Sequence, residues 1–189
     1  LLRVEAKHLN ISPHFAIYDV QDQKDLLKVV LKSLNIPKEQ LNPNNARNQI
    51  SHLKNKMISP SSQLRKARTI LEKKLVEVYT EYQKSLKEND ALDFDDLLLK
   101  PLELFDEHPK ILDKYQRKWK YILVDEYQDT NRPQFLFLTK LSKKNMQISV
   151  VGDDDQSIYG WRGADVTNIL DFEKSFPSCR IFTLEKNYR

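Results

Sequence analysis

Apolar residues recur at helical spacing through the first part of the chain. Between Gln21 and Leu34 they are flanked by polar residues, and Asp19 or Asp22 is suited to cap the helix that this predicts. A second, short helix is predicted after the turn at Asn42. From Leu64 to Leu86 apolar residues repeat at steps of three and four, which predicts one amphipathic helix of about seven turns.

The pattern changes in the last third of the chain. Short apolar runs at 121–124, 147–151 and 180–184 predict strands, and the first two have the continuous character of strands buried on both faces. Helices are predicted between them, at 133–141 and 165–172. Strands that alternate with helices indicate a parallel sheet, so the fold class is α/β.

Two parts follow from these patterns. Residues 1–119 are predicted to form a helical subdomain, in which Asp93 caps a further helix that leads from about residue 91 towards the core. Residues 120–189 are predicted to form part of a nucleotide-binding α/β domain.

Composition restricts the class of protein. The 189 residues are 40% hydrophobic and 31% charged, which is typical of a globular chain, and no apolar run is long enough to span a membrane. A single cysteine, Cys179, excludes an internal disulfide and favours a reducing compartment. Because the chain starts at Leu1 without Met and has no terminal tail, we expect it to be a piece of a longer protein.

Glycine is scarce: the only three lie between Gly152 and Gly163. A phosphate-binding loop of the type G-x-x-x-x-G-K-[ST] is therefore absent from these residues, since no Gly-Lys dipeptide occurs.

Positive charge is concentrated in one stretch, although the formal net charge is only +4. No acidic residue lies between Glu39 and Glu72. A block of one sign is expected where a polyanion binds, but a solvated helix face explains it equally well. The basic residues of the stretch are Arg47, Lys54, Lys56, Arg65, Lys66 and Arg68.

Two carboxylates follow the first predicted strand of the α/β part. Ligands bind at the carboxyl ends of strands in open α/β sheets, so Asp125 could hold Mg²⁺ and Glu126 could polarise an attacking water. On spacing alone, an ordinary turn after a strand remains the simpler interpretation.

A polar segment with interleaved aromatic residues follows the next strand. Gly152 allows the chain to turn sharply off the sheet, and Gln156 could sense a γ-phosphate or hold a water. Tyr159 and Trp161 could stack on nucleic-acid bases beside Arg162, or could simply anchor the loop to the core.

Three segments, in this order and spacing, resemble the UvrD/PcrA/Rep family of superfamily 1 DNA helicases. They are D-E-Y-Q-D-T-N at 125–131, the stretch from Gly152 to Asp165, and N-Y-R at 187–189, which resemble the family's motifs II, III and IV. The helical part is similar to the family's 1B subdomain more loosely, including L-D-F-D-D-L-L at 92–98.

The resemblance implies an ATP site. Asp125 would bind Mg²⁺ with ATP, and Glu126 would be the general base for water. Gln156 would contact the γ-phosphate, Tyr188 would lie against the adenine, and Arg189 would act as an arginine finger in cis.

The resemblance also implies contacts with DNA. Tyr159, Trp161 and Arg162 would meet single-stranded DNA, with Trp161 stacking on a base. The acid-free stretch, through Lys54, Lys56, Arg65 and Lys66, would contact the backbone of duplex DNA at a junction. Gln128 and Asp129 would couple the ATP site to neighbouring motifs.

As a whole, the resemblance implies a fragment of an ATP-dependent 3′-to-5′ DNA helicase with a partial RecA-like sheet. A cytoplasmic, nucleoid-associated role in repair or replication would follow, with no membrane partner. The family's phosphate-binding loop and second RecA-like domain have no counterpart in these residues, so we expect the isolated chain neither to bind ATP tightly nor to hydrolyse it. Two alternatives remain: the helicase part of a helicase–nuclease, and a non-catalytic DNA-binding module derived from a helicase.

Overall fold

A computed structural model describes residues 1–144, 147–157, 167–170 and 172–183, and the structural statements below concern these residues. Four strands are present among them: β1 (Ala16–Tyr18), β2 (Ala91–Asp93), β3 (Ile122–Val124) and β4 (Ile148–Val150). The helices are α1 (Leu2–Glu5), α2 (Val20–Ser33), α3 (Pro43–Asn55), α4 (Pro60–Leu64), α5 (Ile70–Glu88), α6 (Asp96–Glu107), α7 (Pro109–Lys118), α8 (Arg132–Ser142), α9 (Thr167–Leu170) and α10 (Phe172–Ser175).

Side-chain caps set the starts of the predicted helices α2 and α3. The carboxylate of Asp19 accepts the backbone N–H groups of Gln21 and Asp22, and Asp22 bonds back to the N–H of Asp19, which completes a capping box. Asn42 caps α3 by accepting the N–H of Asn45 at 2.9 Å. Both helices are therefore confirmed, and their apolar faces pack with α5 in one core.

The long helix predicted from Leu64 to Leu86 is wrong in its first part. α4 ends at Leu64, and α5 starts only after Thr69, whose side chain forms a second capping box with Glu72. Leu64 and Leu71 are exposed, so the regular spacing in this stretch does not mark a buried face. The helix is shorter than predicted because the capping box of Thr69 and Glu72 starts a new helix, although the apolar spacing runs on without a break through these residues.

A parallel pair of short strands lies within the part that was predicted to be helical. β1 and β2 pair in the register Ala16 to Ala91 and Tyr18 to Asp93. The expectation that residues 1–119 contain only helices is therefore wrong here, since three-residue strands are too short to show an alternating pattern. Asp93 was predicted to cap the next helix from the position directly before it, but it ends β2, and Asp95 is the residue that precedes α6. The carboxylate of Asp93 nevertheless accepts the N–H of Asp96, the first residue of α6.

The second sheet consists of β3 and β4, which are parallel as predicted, with Ile122 opposite Ile148 and Val124 opposite Val150. One face packs on aromatic and aliphatic residues from α8, α9 and α10. On the other face Leu123 is 83% exposed in the part of the chain that the structure describes, so burial on both faces is wrong for these residues.

The third predicted strand does not form at residues 180–183, where Ile181 and Phe182 are exposed outside the sheet; Leu184 lies outside the described residues. The helix predicted at 165–172 is present as α9 and the start of α10, and residues 165, 166 and 171 are outside the described ranges. Within those ranges, no helix combines the length and the apolar character that crossing a bilayer requires.

Candidate functional site

Asp125 and Glu126 lie at the carboxyl end of β3, and both are exposed. Glu126 has a positive φ of 49°, a conformation that is uncommon for a residue other than glycine. The carboxylate of Asp125 accepts the backbone N–H of Glu126 at 2.9 Å, which holds this turn. The two carboxylates therefore stand at the edge of the sheet where α/β proteins bind ligands.

A buried glutamine joins this edge to the end of β4. Gln128 is almost fully buried; its Nε2 donates to Oε2 of Glu126 at 2.8 Å, and its Oε1 accepts the backbone N–H of Asp153 at 3.0 Å. Because both ends of the amide are bonded, its orientation is set, and it holds Glu126 and Asp153 in a defined relation.

Gln156 is reached through the same chain of contacts. A 3₁₀ turn runs from Asp154 to Gln156, and Asp153 caps it by accepting the N–H of Asp155. The other oxygen of Asp153 accepts Nε2 of Gln156 at 2.7 Å. The structure thus connects Glu126 to Gln156 by hydrogen bonds through Gln128 and Asp153.

Five other predicted site residues lie outside the described ranges: Tyr159, Trp161, Arg162, Tyr188 and Arg189.

Gly152 is required by space and not by backbone conformation. A Cβ at this position would lie 2.6 Å from Oε1 of Gln128, 2.8 Å from Cδ1 of Ile169 and 3.2 Å from the backbone N of Tyr127. The contact with the buried Gln128 is the decisive one, because that amide cannot move without releasing Glu126 or Asp153. The sequence analysis explained Gly152 by a sharp turn, whereas in the structure close packing is the reason that this position requires glycine.

We expect Gly152→Ala to lower the free energy of unfolding by about 1–3 kcal/mol, because the added methyl group overpacks this contact. Urea unfolding followed by circular dichroism measures the change. Ser149→Ala, at an exposed position in β4, is the matched control and should stay within about 0.5 kcal/mol of the wild type. Equal stabilities of the two variants would contradict the packing role of Gly152.

The prediction that Lys54 contacts DNA is wrong, because Lys54 does not lie on the surface. It is 1% exposed, and its Nζ lies 2.7 Å from Oδ2 of Asp93 and 2.9 Å from Oδ1 of Asp96. The hydroxyl of Tyr82 donates to the same oxygen of Asp93 at 3.0 Å. Burial by itself lowers the pKa of Lys54, but the two carboxylates more than offset this and hold the pKa above its usual value. Lys54 therefore serves as an internal cation that fastens α3 to the last residue of β2 and the first residue of α6.

The other predicted basic contacts are exposed. Lys56 directly follows α3, and Arg65 and Lys66 follow α4. None of the three forms an ion pair within the part of the chain that the structure describes, and the guanidinium of Arg65 donates to the hydroxyl of Ser62 at 3.3 Å. We call Lys56, Arg65 and Lys66 the basic surface. Its charges are not neutralised by carboxylates of the described residues, so it can attract a polyanion.

Sequence reasoning missed the contact that joins the two regions. Asn131 caps α8, with its Oδ1 accepting the N–H of Gln134, and its Nδ2 donates to Oδ1 of Asn55 at 2.8 Å. Asn55, the last residue of α3, donates in turn to Oδ1 of Asp95 at 3.0 Å. The spacing N-x-x-Q could have indicated the cap at Asn131, but no local signal points to a partner at Asn55.

The carboxylates of Asp125 and Glu126 follow a parallel strand at the sheet edge where α/β proteins bind ligands, and NTP-hydrolysing α/β proteins hold Mg²⁺ with an Asp in such a position. The comparisons with known proteins define the class further. The family model for the UvrD/REP helicase N-terminal domain matches residues 1–177, and the chain belongs to this family.

Similar proteins cover the whole chain. It is 43% identical over 189 residues to the ATP-dependent DNA helicase PcrA of Bacillus subtilis, and 44% identical to the proteins of that name from Staphylococcus aureus (strain Mu50) and Staphylococcus epidermidis. Each alignment covers 100% of this chain but only 26% of the relative. The chain therefore spans about a quarter of the length of these relatives.

Proposed function

We propose that the full-length protein containing this chain is an ATP-dependent DNA helicase that moves along single-stranded DNA in the 3′-to-5′ direction. The observation that carries the proposal is the chain of hydrogen bonds from Glu126 through Gln128 and Asp153 to Gln156. It places two groups suited to ATP hydrolysis on one connected framework. Relatives named ATP-dependent DNA helicase support the same activity.

Magnesium fits the donor set at the end of β3. Mg²⁺ in phosphoryl-transfer sites takes one or two carboxylates and completes its shell with waters and phosphate oxygens. Asp125 offers an exposed carboxylate there, and a cluster of three metal-binding side chains, which the described residues lack, is not needed. When bound, the ion would neutralise charge that develops on the phosphates.

Glu126 is the general base in this proposal. Its carboxylate would accept a proton from the attacking water, while the hydrogen bond from Gln128 to Oε2 keeps it aimed at the edge of the sheet. Gln156 would contact the γ-phosphate and report its presence to Glu126 through Asp153 and Gln128. In this proposal Tyr188 and Arg189, which lie outside the described ranges, would complete the site, Tyr188 against the adenine and Arg189 as an arginine finger.

DNA would contact two regions of the chain. The basic surface would bind the phosphate backbone of duplex DNA at a junction, and Tyr159, Trp161 and Arg162 would bind the single strand. A cytoplasmic, nucleoid-associated role in DNA repair or replication is part of the same proposal.

Reversing the charge at Lys56, Arg65 and Lys66 together should weaken binding of a forked DNA by at least about tenfold at low salt. The slope of log K against log salt should fall in magnitude by about 2–3, because each lost phosphate contact contributes about 0.9. Fluorescence anisotropy of the full-length protein over a salt series measures both quantities. The control reverses Lys7, Lys110 and Lys118, which are exposed and lie outside the acid-free stretch. If the two triple variants change the affinity and the salt slope equally, the basic surface is a solvated helix face and not a DNA-binding site.

ATP turnover by the full-length protein tests the proposed function. We expect turnover that rises on addition of single-stranded DNA, and strand separation of a duplex with a 3′ tail in preference to one with a 5′ tail. Binding of DNA without any ATP turnover would instead identify a non-catalytic module.

A further inference from the structure

We propose that the hydrogen bond between Asn131 and Asn55 is a positioning contact that couples the carboxylate segment, residues 125–131, to the basic surface. This inference rests on the proposed function and deepens it. The two residues are 76 positions apart in sequence, and they join the cap of α8 to the end of α3 at a distance of 2.8 Å. They would act through other groups, with no direct contact to ATP or DNA.

Asn131 is the last residue of the carboxylate segment, and its side-chain oxygen is committed to the cap of α8. Its Oδ1 accepts the N–H of Gln134, and its backbone N–H donates to Oε1 of Gln134. Only Nδ2 reaches beyond this cap, and it reaches Asn55. Since residue 131 ends the segment that starts with Asp125 and Glu126, a shift of those carboxylates is passed to α8 and to Asn55 together.

Asn55 holds the end of α3 from the other side. Its Nδ2 donates to the carbonyl of Ser51 at 2.9 Å and to Oδ1 of Asp95 at 3.0 Å, while its Oδ1 accepts from Asn131. The preceding residue, Lys54, is fixed by its buried ion pairs. The end of α3 therefore moves as a unit with the residues that hold it.

The basic surface starts at the next residue. Lys56 follows Asn55 directly and is exposed, and Met57 then turns the chain with a positive φ of 59° towards α4. A displacement of Asn55 thus displaces Lys56 first. By the reciprocity of coupled binding equilibria, DNA held at the basic surface would in turn favour one position of the carboxylate segment.

The sharpest variant is Asn131→Ser in the full-length protein. Serine is as good an N-cap as asparagine, so its oxygen can still accept the N–H of Gln134, but it has no amide to donate to Asn55. Asn55→Ala removes the same bond from the other side. Asn45→Ala, an exposed asparagine in α3, is the matched control.

The readout is the ratio of ATP turnover with saturating forked DNA to turnover without DNA. We expect both variants to lower this ratio by about three- to tenfold, the range that one hydrogen bond supports, and the control to leave it unchanged. The double variant should lower it no further than the single variants, because both remove one contact.

Two results would overturn the coupling while leaving the proposed function intact. One is an unchanged ratio in both variants, even with a lower thermal midpoint, which would make the contact purely structural. The other is a double variant whose effect is the sum of the two single effects, which would mean that the residues act separately. A wild-type protein whose turnover does not respond to DNA would overturn the proposed function and the coupling with it.

Discussion

Glu126→Gln in the full-length protein is expected to lower kcat for DNA-stimulated ATP hydrolysis by about 10²–10⁴-fold. The amide has nearly the shape of the carboxylate, and its oxygen can still accept the hydrogen bond from Gln128. It cannot take a proton from water, so the loss should fall on the chemical step. Steady-state turnover at saturating DNA measures kcat, and binding of a fluorescent ATP analogue shows that the nucleotide affinity is retained.

The matched control for this experiment is Glu173→Gln, an exposed carboxylate in α10. It makes the same chemical change away from the edge of β3 and should leave kcat within twofold. If Glu126→Gln lowers kcat by less than about tenfold, the carboxylate is not the general base. A parallel loss of nucleotide affinity would point instead to a role of Glu126 in binding.

Lys54→Met is expected to lower the free energy of unfolding by about 3–5 kcal/mol. The methionine fills most of the volume but leaves Asp93 and Asp96 buried without their cation. Tyr82 can still donate to Asp93, but one neutral hydrogen bond does not replace a charge. Urea unfolding of the chain, followed by far-ultraviolet circular dichroism, measures the loss.

Two further variants separate lost charge pairing from lost packing. Adding Asp93→Asn and Asp96→Asn to Lys54→Met removes every charge of the ion-pair group and should recover a large part of the stability. Lys56→Met, two positions along the chain at an exposed site, should change stability by less than about 0.5 kcal/mol. If Lys54→Met and Lys56→Met cost the same, the buried ion pair contributes nothing to stability.

The edge of β3 shows how far a sequence pattern reaches. The short apolar runs predicted the strands β3 and β4, and the sequence put two segments with candidate ligands, which start at Asp125 and Gly152, directly after these strands. The structure brings them together through Gln128, whose coupling role was expected only from the family resemblance. The prediction that both faces of these strands are buried was wrong for the described residues. An apolar side chain can pack in a core, but the sequence does not show which segment, if any, covers it.

The acid-free stretch shows the opposite case. Its six basic residues look alike in a charge count, yet Lys54 is buried and Lys56 is exposed. Helical geometry turns neighbouring positions to different sides, but the carboxylates that make burial of Lys54 possible come from Asp93 and Asp96, about forty positions further along the chain.

The sequence by itself predicted features that depend on neighbouring residues: a cap for α2 at Asp19 or Asp22, the presence of α2 and α3, the strands β3 and β4, and the motifs that indicate the family. Only the tertiary structure decided that Lys54 is an internal cation, that Gly152 is required by a contact with Gln128, and that Asn131 reaches Asn55. The physical reason is the range of the interactions. Caps and helix periodicity act over three or four residues, whereas burial and the partners of a side chain are set by segments that meet only when the chain has folded.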